Sequence, residues 1–545
     1  MSIYVVACVI LLGILIFVHE LGHFLVARWC GVRVEVFSLG FGRKIWKKTV
    51  GDTTYCVSMI PLGGYVKMFG EQPGAEIPAA ERAHSFTHKT VWQRIAIVLA
   101  GPLMNLFFAA VIFAVVAMVG QERRSPVLGD VDAASIAGQA GFRSGDRVLA
   151  VDGQETTTFD DVSDIMDERI GRTLSFKVAH ADGRESEINA AVASEHNPNP
   201  LSLRSTVGHI EGFSTASRAS IVGVPRNSPL WALGLRTGDR IMQVGARSVS
   251  RYRELPAAFQ NDGAAPVEIK VERYEEGRKP EQLSFTLPAE IAKGGFQALR
   301  LESPELYLAR VVAQSPAQEA GLKPGDRLTS VDGKPVSQWS DVLKNVGAFS
   351  PEKNETMTVE FVRDGEARSV QLKPQMTSQV NAYGGEDRRF TIGIMTWMVG
   401  APPDVITVRT LNPVKALVAG AQQSWEFSVI TVLSFVRLFN GDISHKTVGG
   451  LLSIGQAAGE TMKLGIGKFL TMMAIISVNL FVLNLLPVPV LDGGHLVFYT
   501  IEVIKGSPLS LKKIEIAQQV GLLLLMGLMV FALFNDVTRI FFQRL

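Results

Sequence analysis

The chain has 545 residues, too many for a single core, so several domains are expected. Hydrophobic residues make up 47% and charged residues 19%, with the charges concentrated in the middle, which is typical of a membrane protein with a large soluble insert. The net charge of +2 argues against a nucleic-acid partner, and the three cysteines, all near the N-terminus without CxxC spacing, favour neither a disulfide framework nor a cysteine metal site.

The first apolar segment, residues 3–27, is predicted to be a retained transmembrane helix. A signal peptide carries basic residues ahead of its apolar region and small residues at a cleavage site, but no basic residue precedes Arg28. The apolar character of the segment resumes after one interruption, the motif HELGH at residues 19–23.

This HELGH motif predicts a metal site. His19 and His23 are four residues apart, so on a helix they share one face and can bind the same zinc ion, while Glu20 beside them can accept a proton from the attacking water. An ionisable group in the hydrocarbon region costs about 2.5–3.5 kcal/mol on insertion scales, so this cluster indicates function. The alternative is that the helix ends at Val18 and the motif is simply solvated.

The loop after the first span is rich in lysine and arginine, which indicates the cytoplasmic side. Residues 52–69 combine β-rich sequence with Pro61 and a Gly-Gly pair, a pattern that predicts a membrane-associated β-hairpin directed toward the active site. Its open edge, at Gly63, Gly64 and Tyr65, could hold an unwound substrate segment by β-augmentation. The alternative is an ordinary surface hairpin.

The second predicted span, residues 95–120, carries Asn105 as its only strongly polar side chain. The small residues that precede it, in Ala100-Gly101-Pro102, would allow close helix packing. We therefore expect the Asn105 amide to tether a neighbouring helix and to have a structural role.

Three segments of the following insert share one pattern of helix end, Gly-Asp turn and strand. They are residues 140–148, 233–241 and 320–328. Their spacing matches one small domain each, so we predict tandem domains over residues 121–200, 201–295 and 296–385. The pattern resembles the bacterial PDZ domain, a small barrel with a peptide groove between a strand edge and a helix. The middle copy departs from the other two at Gly245-Ala246-Arg247, where they have Asp-Gly.

Residues 386–465 are predicted to connect these domains to the membrane, with an interfacial helix at Trp425 to Phe439. A third span is predicted at residues 469–491 and a fourth at residues 520–538. Asn479 and Asn484 interrupt the third span. Their amides are either core groups satisfied by neighbouring helices or groups that hold an extended substrate, and we favour the substrate role.

A catalytic zinc usually keeps three protein ligands and one open position, so a third ligand must come from elsewhere in the chain. Asp492 is the best candidate, because Pro487 and Pro489 break the helix just before it and expose side chains to a cavity. His495 is the rival ligand.

Chain direction tests this pairing. The basic loop places the N-terminus outside, and a rise of about 1.5 Å per residue puts His19 roughly 25 Å inward from the outer end of its span. Asp492 lies at a similar depth only if the third span runs inward, which requires that Trp425 to Phe439 does not cross the membrane. Both termini and the insert are then extracytoplasmic, and the active site lies near the cytoplasmic side.

Several motifs together resemble the site-two intramembrane metalloproteases of the M50 family. They are the HELGH motif, the Ala100-Gly101-Pro102-x-x-Asn105 turn, the loop Gly63-Gly64-Tyr65-Val66-Lys67 and the segment Asn484-x-x-Pro487-x-Pro489-x-Leu491-Asp492-Gly493-Gly494. The resemblance covers both membrane ends and most of the insert. It implies one zinc ion bound by His19, His23 and Asp492, with Glu20 as general base, and it supports the substrate roles of Asn479 and Asn484. The family pattern has two PDZ domains where this chain has three repeats.

The predicted fold is a polytopic α-helical membrane protein with four transmembrane helices, a membrane-associated β-hairpin and an extracytoplasmic array of three PDZ-like domains. The family implies a bacterial inner-membrane endopeptidase that cuts single-pass proteins, such as anti-sigma factors, after a site-1-type protease has trimmed them; some members clear remnant signal peptides. The array either binds peptides or excludes untrimmed substrates, and we favour exclusion. Competing hypotheses are a catalytically silent PDZ scaffold and, more weakly, a transporter.

Overall fold

The structure, a computed structural model, describes residues 2–71, 77–260, 265–275, 278–380 and 386–542. Within these residues four helices are long and apolar enough to cross a membrane, which confirms the four predicted spans. Their bounds are Ile3–Trp29, Val91–Val119, Ile466–Leu485 and Leu511–Arg539. The third ends at Leu485 rather than at 491, because Pro487 and Pro489 cannot donate a backbone hydrogen bond to a continuing helix.

The N-terminal region contains two membrane helices with a β-sheet between them. In chain order its elements are α1 Ser2–Trp29, β1 Val34–Val50, β2 Thr53–Met68, α2 Val91–Val119 and β3 Gln121–Arg124. Helix α2 begins with a capping box in which Thr90 accepts a hydrogen bond from the Gln93 backbone, and it contains Pro102 in its interior.

The predicted hairpin within residues 52–69 is wrong in its topology. The turn between β1 and β2 lies at Gly51-Asp52, where Gly51 has a φ of +59°, and the whole of residues 53–68 forms the second strand. Both strands bend, so that residues 34–39 of β1 pair with residues 64–68 on one side and with residues 54–57 on the other. The Gly63-Gly64 pair therefore begins an edge segment of a larger sheet and does not form a hairpin tip.

Helices α1 and α2 pack through glycine. An ideal Cβ on Gly22 would lie 2.3 Å from the Ala100 carbonyl oxygen, so no residue larger than glycine fits at this contact. Close approach through small residues is the usual way in which membrane helices associate, because lipid gives no hydrophobic force between them.

The insert contains three repeats, each built on a four-stranded antiparallel sheet with the same strand order. The orders are β5-β4-β6-β7, β11-β10-β12-β13 and β16-β15-β17-β18. The first repeat contains α3 Ile136–Ala140, β4 Arg147–Val151, β5 Gln154–Glu155, α4 Phe159–Glu168, β6 Thr173–Ala179, β7 Glu185–Ala191, β8 Ala193–His196 and β9 Thr206–His209.

The second and third repeats differ after their fourth strand. The second repeat contains α5 Pro229–Ala232, β10 Arg240–Val244, β11 Arg247–Ser248, α6 Leu255–Ala258, β12 Val267–Arg273, β13 Glu281–Leu287, α7 Ala289–Ala292 and α8 Gly295–Ala298. The third contains β14 Leu308–Val311, α9 Pro316–Glu319, β15 Arg327–Val331, β16 Lys334–Pro335, α10 Trp339–Gly347, β17 Met357–Arg363, β18 Glu366–Leu372, β19 Gln375–Val380, β20 Glu386–Thr391 and β21 Ile394–Thr396. An added strand pair, β8–β9 or β19–β20, thus follows in the first and third repeats, whereas two short helices follow in the second.

The predicted pattern of helix end, Gly-Asp turn and strand is confirmed in all three repeats. Its aspartates, Asp146, Asp239 and Asp326, are each 1% exposed and accept a backbone hydrogen bond from the residue three positions earlier. Arg273 and Arg363 form ion pairs with the second and third of these carboxylates, at 2.7 and 2.6 Å. Each repeat thus buries one carboxylate and supplies partners for it, as low-dielectric surroundings require.

Each repeat has an apolar core of its own. The buried clusters extend from Leu128 to Phe213, from Val222 to Leu299 and from Leu306 to Ile392. The predicted boundaries at residues 200, 295 and 385 therefore fall before the last core residues of each repeat. The last core residues of each cluster follow the fourth strand of the shared sheet. The segments that carry them are too short to show a periodic apolar pattern in the sequence.

A polar junction joins the three repeats. Arg218 forms ion pairs with Asp130 of the first repeat, at 3.1 Å, and with Glu305 beside the third, at 2.7 Å. Its guanidinium also lies over the ring of Tyr252 in the second repeat, 5.4 Å from the centroid. Burial raises the pKa of Tyr252 to about 12, so this ring stays neutral beside the cation. One side chain thus contacts all three repeats.

The C-terminal region returns the chain to the membrane helices. Its elements are β22 Val405–Val408, α11 Pro413–Asn440, α12 Leu451–Lys463, α13 Ile466–Leu485, α14 Asp492–Lys505 and α15 Leu511–Phe542. Strand β22 pairs with β3, so the two ends of the insert meet in a two-stranded sheet next to the end of α2.

The segment predicted as an interfacial helix is the C-terminal half of α11, which packs along α2 and α13. An ideal Cβ on Gly420 would lie 2.2 Å from the Ala110 carbonyl oxygen, and Phe427 stacks on Phe113 with centroids 5.6 Å apart. Among the residues that the structure describes, α11 is not one of the helices apolar enough to span a membrane. Its position at the membrane interface stays a prediction.

Candidate active site

Three ligand atoms from two distant parts of the chain meet within the membrane helices. The Nε2 atoms of His19 and His23 are 3.2 Å apart, and Oδ2 of Asp492 lies 3.2 Å from the first and 3.6 Å from the second. A tetrahedral zinc ion with bonds of about 2.0–2.1 Å needs ligand atoms about 3.3 Å apart. The three side chains therefore fit one zinc ion without rearrangement, and they are the only such group in the described part of the chain.

Helix α2 orients His23. Nδ1 of His23 lies 2.9 Å from the Ile97 carbonyl oxygen, so this nitrogen carries the proton and Nε2 is left free to bind a metal. Gly101 provides the space, because an ideal Cβ there would lie only 2.2 Å from Nε2 of His23. Gly101, inside helix α2, thus accommodates the histidine rings themselves, a more specific role than the close helix packing predicted for it.

Asp492 is the first residue of α14 and follows the non-helical segment 486–491. The next two glycines allow the chain to turn there: an ideal Cβ on Gly493 would lie 2.3 Å from the Leu486 carbonyl oxygen, and one on Gly494 would lie 2.3 Å from that of Val488. His495, the rival ligand, lies one turn further along α14, against Phe498 and Tyr499. It does not belong to the group of converging ligand atoms.

Helix α14 is fixed to α2 by a shielded ion pair. Nη2 of Arg94 lies 2.7 Å from Oε1 of Glu502, with side chains 13% and 14% exposed. The same guanidinium lies 4.9 Å from the ring centroid of Tyr499, whose pKa burial raises to about 12. These contacts hold the helix that carries Asp492 against the helix that contacts His23.

Glu20 lies beside the edge of the β-sheet. An ideal Cβ on Gly64 would lie 3.2 Å from Cγ of Glu20 and 2.9 Å from Cγ2 of Ile16, so glycine allows the sheet to approach α1. The ring of Tyr65 stacks on Phe41, with centroids 6.1 Å apart. The structure thus brings Gly64 next to Glu20.

The three asparagines occupy different positions. Asn484 reaches the site, with Nδ2 at 3.5 Å from Nδ1 of His19. Asn479 instead contacts α11, where its Oδ1 lies 2.7 Å from the Thr431 hydroxyl. Asn105, predicted to be a structural tether, lies at the site with Nδ2 at 3.3 Å from Nδ1 of His19. Sequence reasoning missed this contact, although Asn105 is four residues after Gly101 and so shares its helix face.

Comparison with known proteins identifies the family. The model of peptidase family M50 matches residues 7–528. The chain belongs to peptidase family M50. As the full-length similarity of its relatives also shows, this M50 peptidase is an intramembrane zinc metalloprotease with a site-2 protease role.

Two relatives match nearly the whole of the M50 chain. The regulator of sigma-E protease RseP of Salmonella typhimurium strain 14028s is 33% identical over 538 residues, 98% of each chain. A protein of Neisseria meningitidis serogroup A, named provisionally as a zinc metalloprotease, is 33% identical over 536 residues, 97% of each chain.

Among solved structures, a PDZ domain protein from Parabacteroides distasonis ATCC 8503 is matched over 50% of this chain and 95% of its own. The sequence identity is 11% and the TM-score is 0.14. A TM-score of this size does not establish a shared arrangement, so the fold of the three repeats rests on their own sheet topology.

Proposed function

We propose that this M50 peptidase cuts single-pass membrane proteins within the bacterial inner membrane, after a site-1-type protease has trimmed the same substrate. The observation that carries the proposal is the convergence of His19 and His23 with Asp492, beside Glu20. The histidines and Glu20 lie in a helix long enough to span a membrane, and Asp492 follows another such helix by seven residues. Anti-sigma factors are one proposed substrate class, in keeping with the name of the Salmonella relative, a regulator of sigma-E protease. Remnant signal peptides are a second proposed class, which rests on the resemblance to the site-two proteases.

In the proposed reaction His19, His23 and Asp492 hold one zinc ion, which would polarise the scissile carbonyl and lower the pKa of the attacking water. Glu20 accepts the proton of this water and passes it to the leaving amine. The side chains of His19 and Asp492 are only 14% and 19% exposed, which limits access of bulk water.

A helical substrate hides its peptide carbonyls in hydrogen bonds and must unwind before it can be attacked. We propose that the edge segment at Gly63, Gly64 and Tyr65 holds the unwound segment by β-augmentation. The contact of Gly64 with Glu20 supports this, because a strand added at that edge would lie beside the general base. We propose that Asn484 binds a substrate carbonyl, which its approach to His19 supports, and that Asn479 acts from a greater distance, through α11.

We propose that the three repeats are PDZ-like, lie on the extracytoplasmic side and exclude substrates whose extracytoplasmic domain is intact. The pairing of β3 with β22 supports this role, because it joins both ends of the insert beside the end of α2. The junction at Arg218 supports it as well, because three repeats linked by one side chain form a bulkier obstacle than three separate domains.

The proposed activity is tested by co-expressing wild type and Glu20→Gln with tagged single-pass membrane proteins. Glutamine keeps the shape of glutamate but cannot accept the proton, so Glu20→Gln should bind zinc and yield no fragments. Fragments that appear equally with both proteins would remove Glu20 from its assigned role. A wild-type protein that purifies without zinc and cuts nothing would refute the function as a whole.

The proposed exclusion is tested by replacing residues 125–404 with Asn-Gly. Arg124 and Val405 are cross-strand partners, so a two-residue turn joins β3 to β22 without disturbing the membrane helices. The shortened protein should cut untrimmed substrate as readily as trimmed substrate, and the same deletion with Glu20→Gln is the control. If cleavage of both substrates falls together, the array does not act by exclusion.

A further inference from the structure

Metal binding by one ring nitrogen of His19 requires a hydrogen-bond acceptor at the other. Nε2 of His19 points at the other two ligand atoms, so the metal-binding ring must carry its proton on Nδ1. That Nδ1–H needs an acceptor. Two amides reach it, from Asn105 at 3.3 Å and from Asn484 at 3.5 Å.

Asn105 meets the requirement better than Asn484. It is fully buried, whereas Asn484 is half-buried and at the limit of hydrogen-bond distance. In the described structure Oδ1 of Asn105 has no hydrogen-bond partner, although it is buried, while its Nδ2 faces Nδ1 of His19. The oxygen and nitrogen of an amide are nearly the same size, so rotation of the amide exchanges them in place.

We propose that Asn105 is a positioning residue whose amide oxygen accepts the Nδ1–H of His19 and so leaves Nε2 free for zinc. The inference rests on the ligand set of the proposed function. It assigns the two amides different tasks: Asn105 holds the histidine, and Asn484 remains available to the substrate.

The surroundings fix Asn105 for this task. Its backbone carbonyl accepts a hydrogen bond from the buried Ser477 hydroxyl of α13, at 2.8 Å. Pro102 and Gly101 precede it on the same helix, and Gly101 contacts both histidine rings. Asn105 therefore lies between α1 and α13, and its side chain has little freedom to turn away from His19.

The test measures zinc affinity of the purified full-length protein by competition with a chelator, together with the absorption spectrum of the cobalt-loaded protein. Asn105→Leu keeps the side-chain size but removes the acceptor, so zinc affinity should fall about tenfold to a hundredfold. Asn105→Ala should behave in the same way. Asn105→Asp, an acceptor that cannot donate, should retain the wild-type affinity and cobalt spectrum.

Two matched variants separate this role from simple packing. Ser477→Ala removes the contact to the Asn105 backbone but leaves the amide in place, and Asn484→Leu removes the other amide; both should retain zinc affinity. Wild-type affinity in Asn105→Leu, or weak binding in Asn105→Asp, would overturn the inference. If His19→Ala also retained zinc affinity, the ligand set of the proposed function would fail instead.

Discussion

In the membrane helices the decisive contacts are made by glycines, whereas each extramembrane repeat has an apolar core. Gly22, Gly101 and Gly420 face a carbonyl oxygen or a histidine ring at distances that no Cβ could tolerate. The cores of the repeats are filled by large side chains such as Phe176 and Phe361, and the membrane helices add smaller apolar clusters, one of them around Phe113. Lipid provides no hydrophobic force between helices, so close backbone contact positions them, while water drives the repeats to bury apolar surface.

The buried polar groups of the two regions also differ. The candidate metal site of the membrane half is assembled from residues far apart in the chain, and the described residues contain no second group of this kind. The array repeats one buried aspartate three times, with Arg273 and Arg363 as partners in two repeats and His180 in the first, 2.8 Å from Asp146. Substitutions of the metal-site residues should therefore abolish function, and those of the repeated aspartates should act on stability.

The largest effect is expected at the ligands. Asp492→Ala removes a carboxylate that faces both histidines, so both cleavage and zinc binding should be lost. His495→Ala is the matched control on the same helix, and it should keep full zinc content by elemental analysis. Loss of zinc in His495→Ala, with retention of zinc in Asp492→Ala, would show that His495 is the third ligand and Asp492 is not.

The second-largest effect, a loss of zinc affinity, is expected at Gly101, which leaves space for the histidine rings. In Gly101→Ala the added methyl group would collide with His23, so zinc affinity should fall by at least about tenfold, the range known for displaced ligand supports. Gly13→Ala is the control, because nothing lies within 4 Å of an ideal Cβ at that position in α1. Equal zinc affinity of the two variants would show that the rings have room to move.

A stability effect is expected in the array. Asp326→Ala removes the buried carboxylate that pairs with Arg363 and accepts a backbone N–H. Because Arg363 is partly exposed and also donates to the Gly321 carbonyl oxygen, the cost should be about 1–3 kcal/mol. Hydrogen exchange of the β15 amides in the full-length protein should accelerate accordingly, with zinc affinity unchanged. Glu366→Ala, which breaks an exposed pair with Arg368, is the control and should cost less than about 1 kcal/mol. A loss of zinc in Asp326→Ala would mean that the two halves are coupled.

The smallest effect is expected at the junction of the repeats. Arg218 is 39% exposed, so Arg218→Ala should lower stability by about 1 kcal/mol or less. The change should show instead as a broader distribution of distances between spin labels on the first and third repeats. An unchanged distribution would mean that backbone contacts alone hold the array together.

Local patterns in the sequence determined much of this protein. Long apolar runs predict four spans, the spacing of His19 and His23 places them on one helix face, and the repeated Gly-Asp turn predicts three copies of one unit, because each pattern depends on near neighbours. Asp492 is favoured over His495 because Pro487 and Pro489 break the helix just before it. Chain direction then tests the pairing with the histidines but leaves the rival open.

Only the tertiary structure decided which distant groups meet. It moved the turn of the sheet from Gly63 to Gly51, and it brought Asn105 to His19. It also placed two helices after the sheet of the second repeat, where the others have a strand pair. Strand register and helix rotation are set by packing against elements far away in the chain, and short stretches of sequence carry no record of those neighbours.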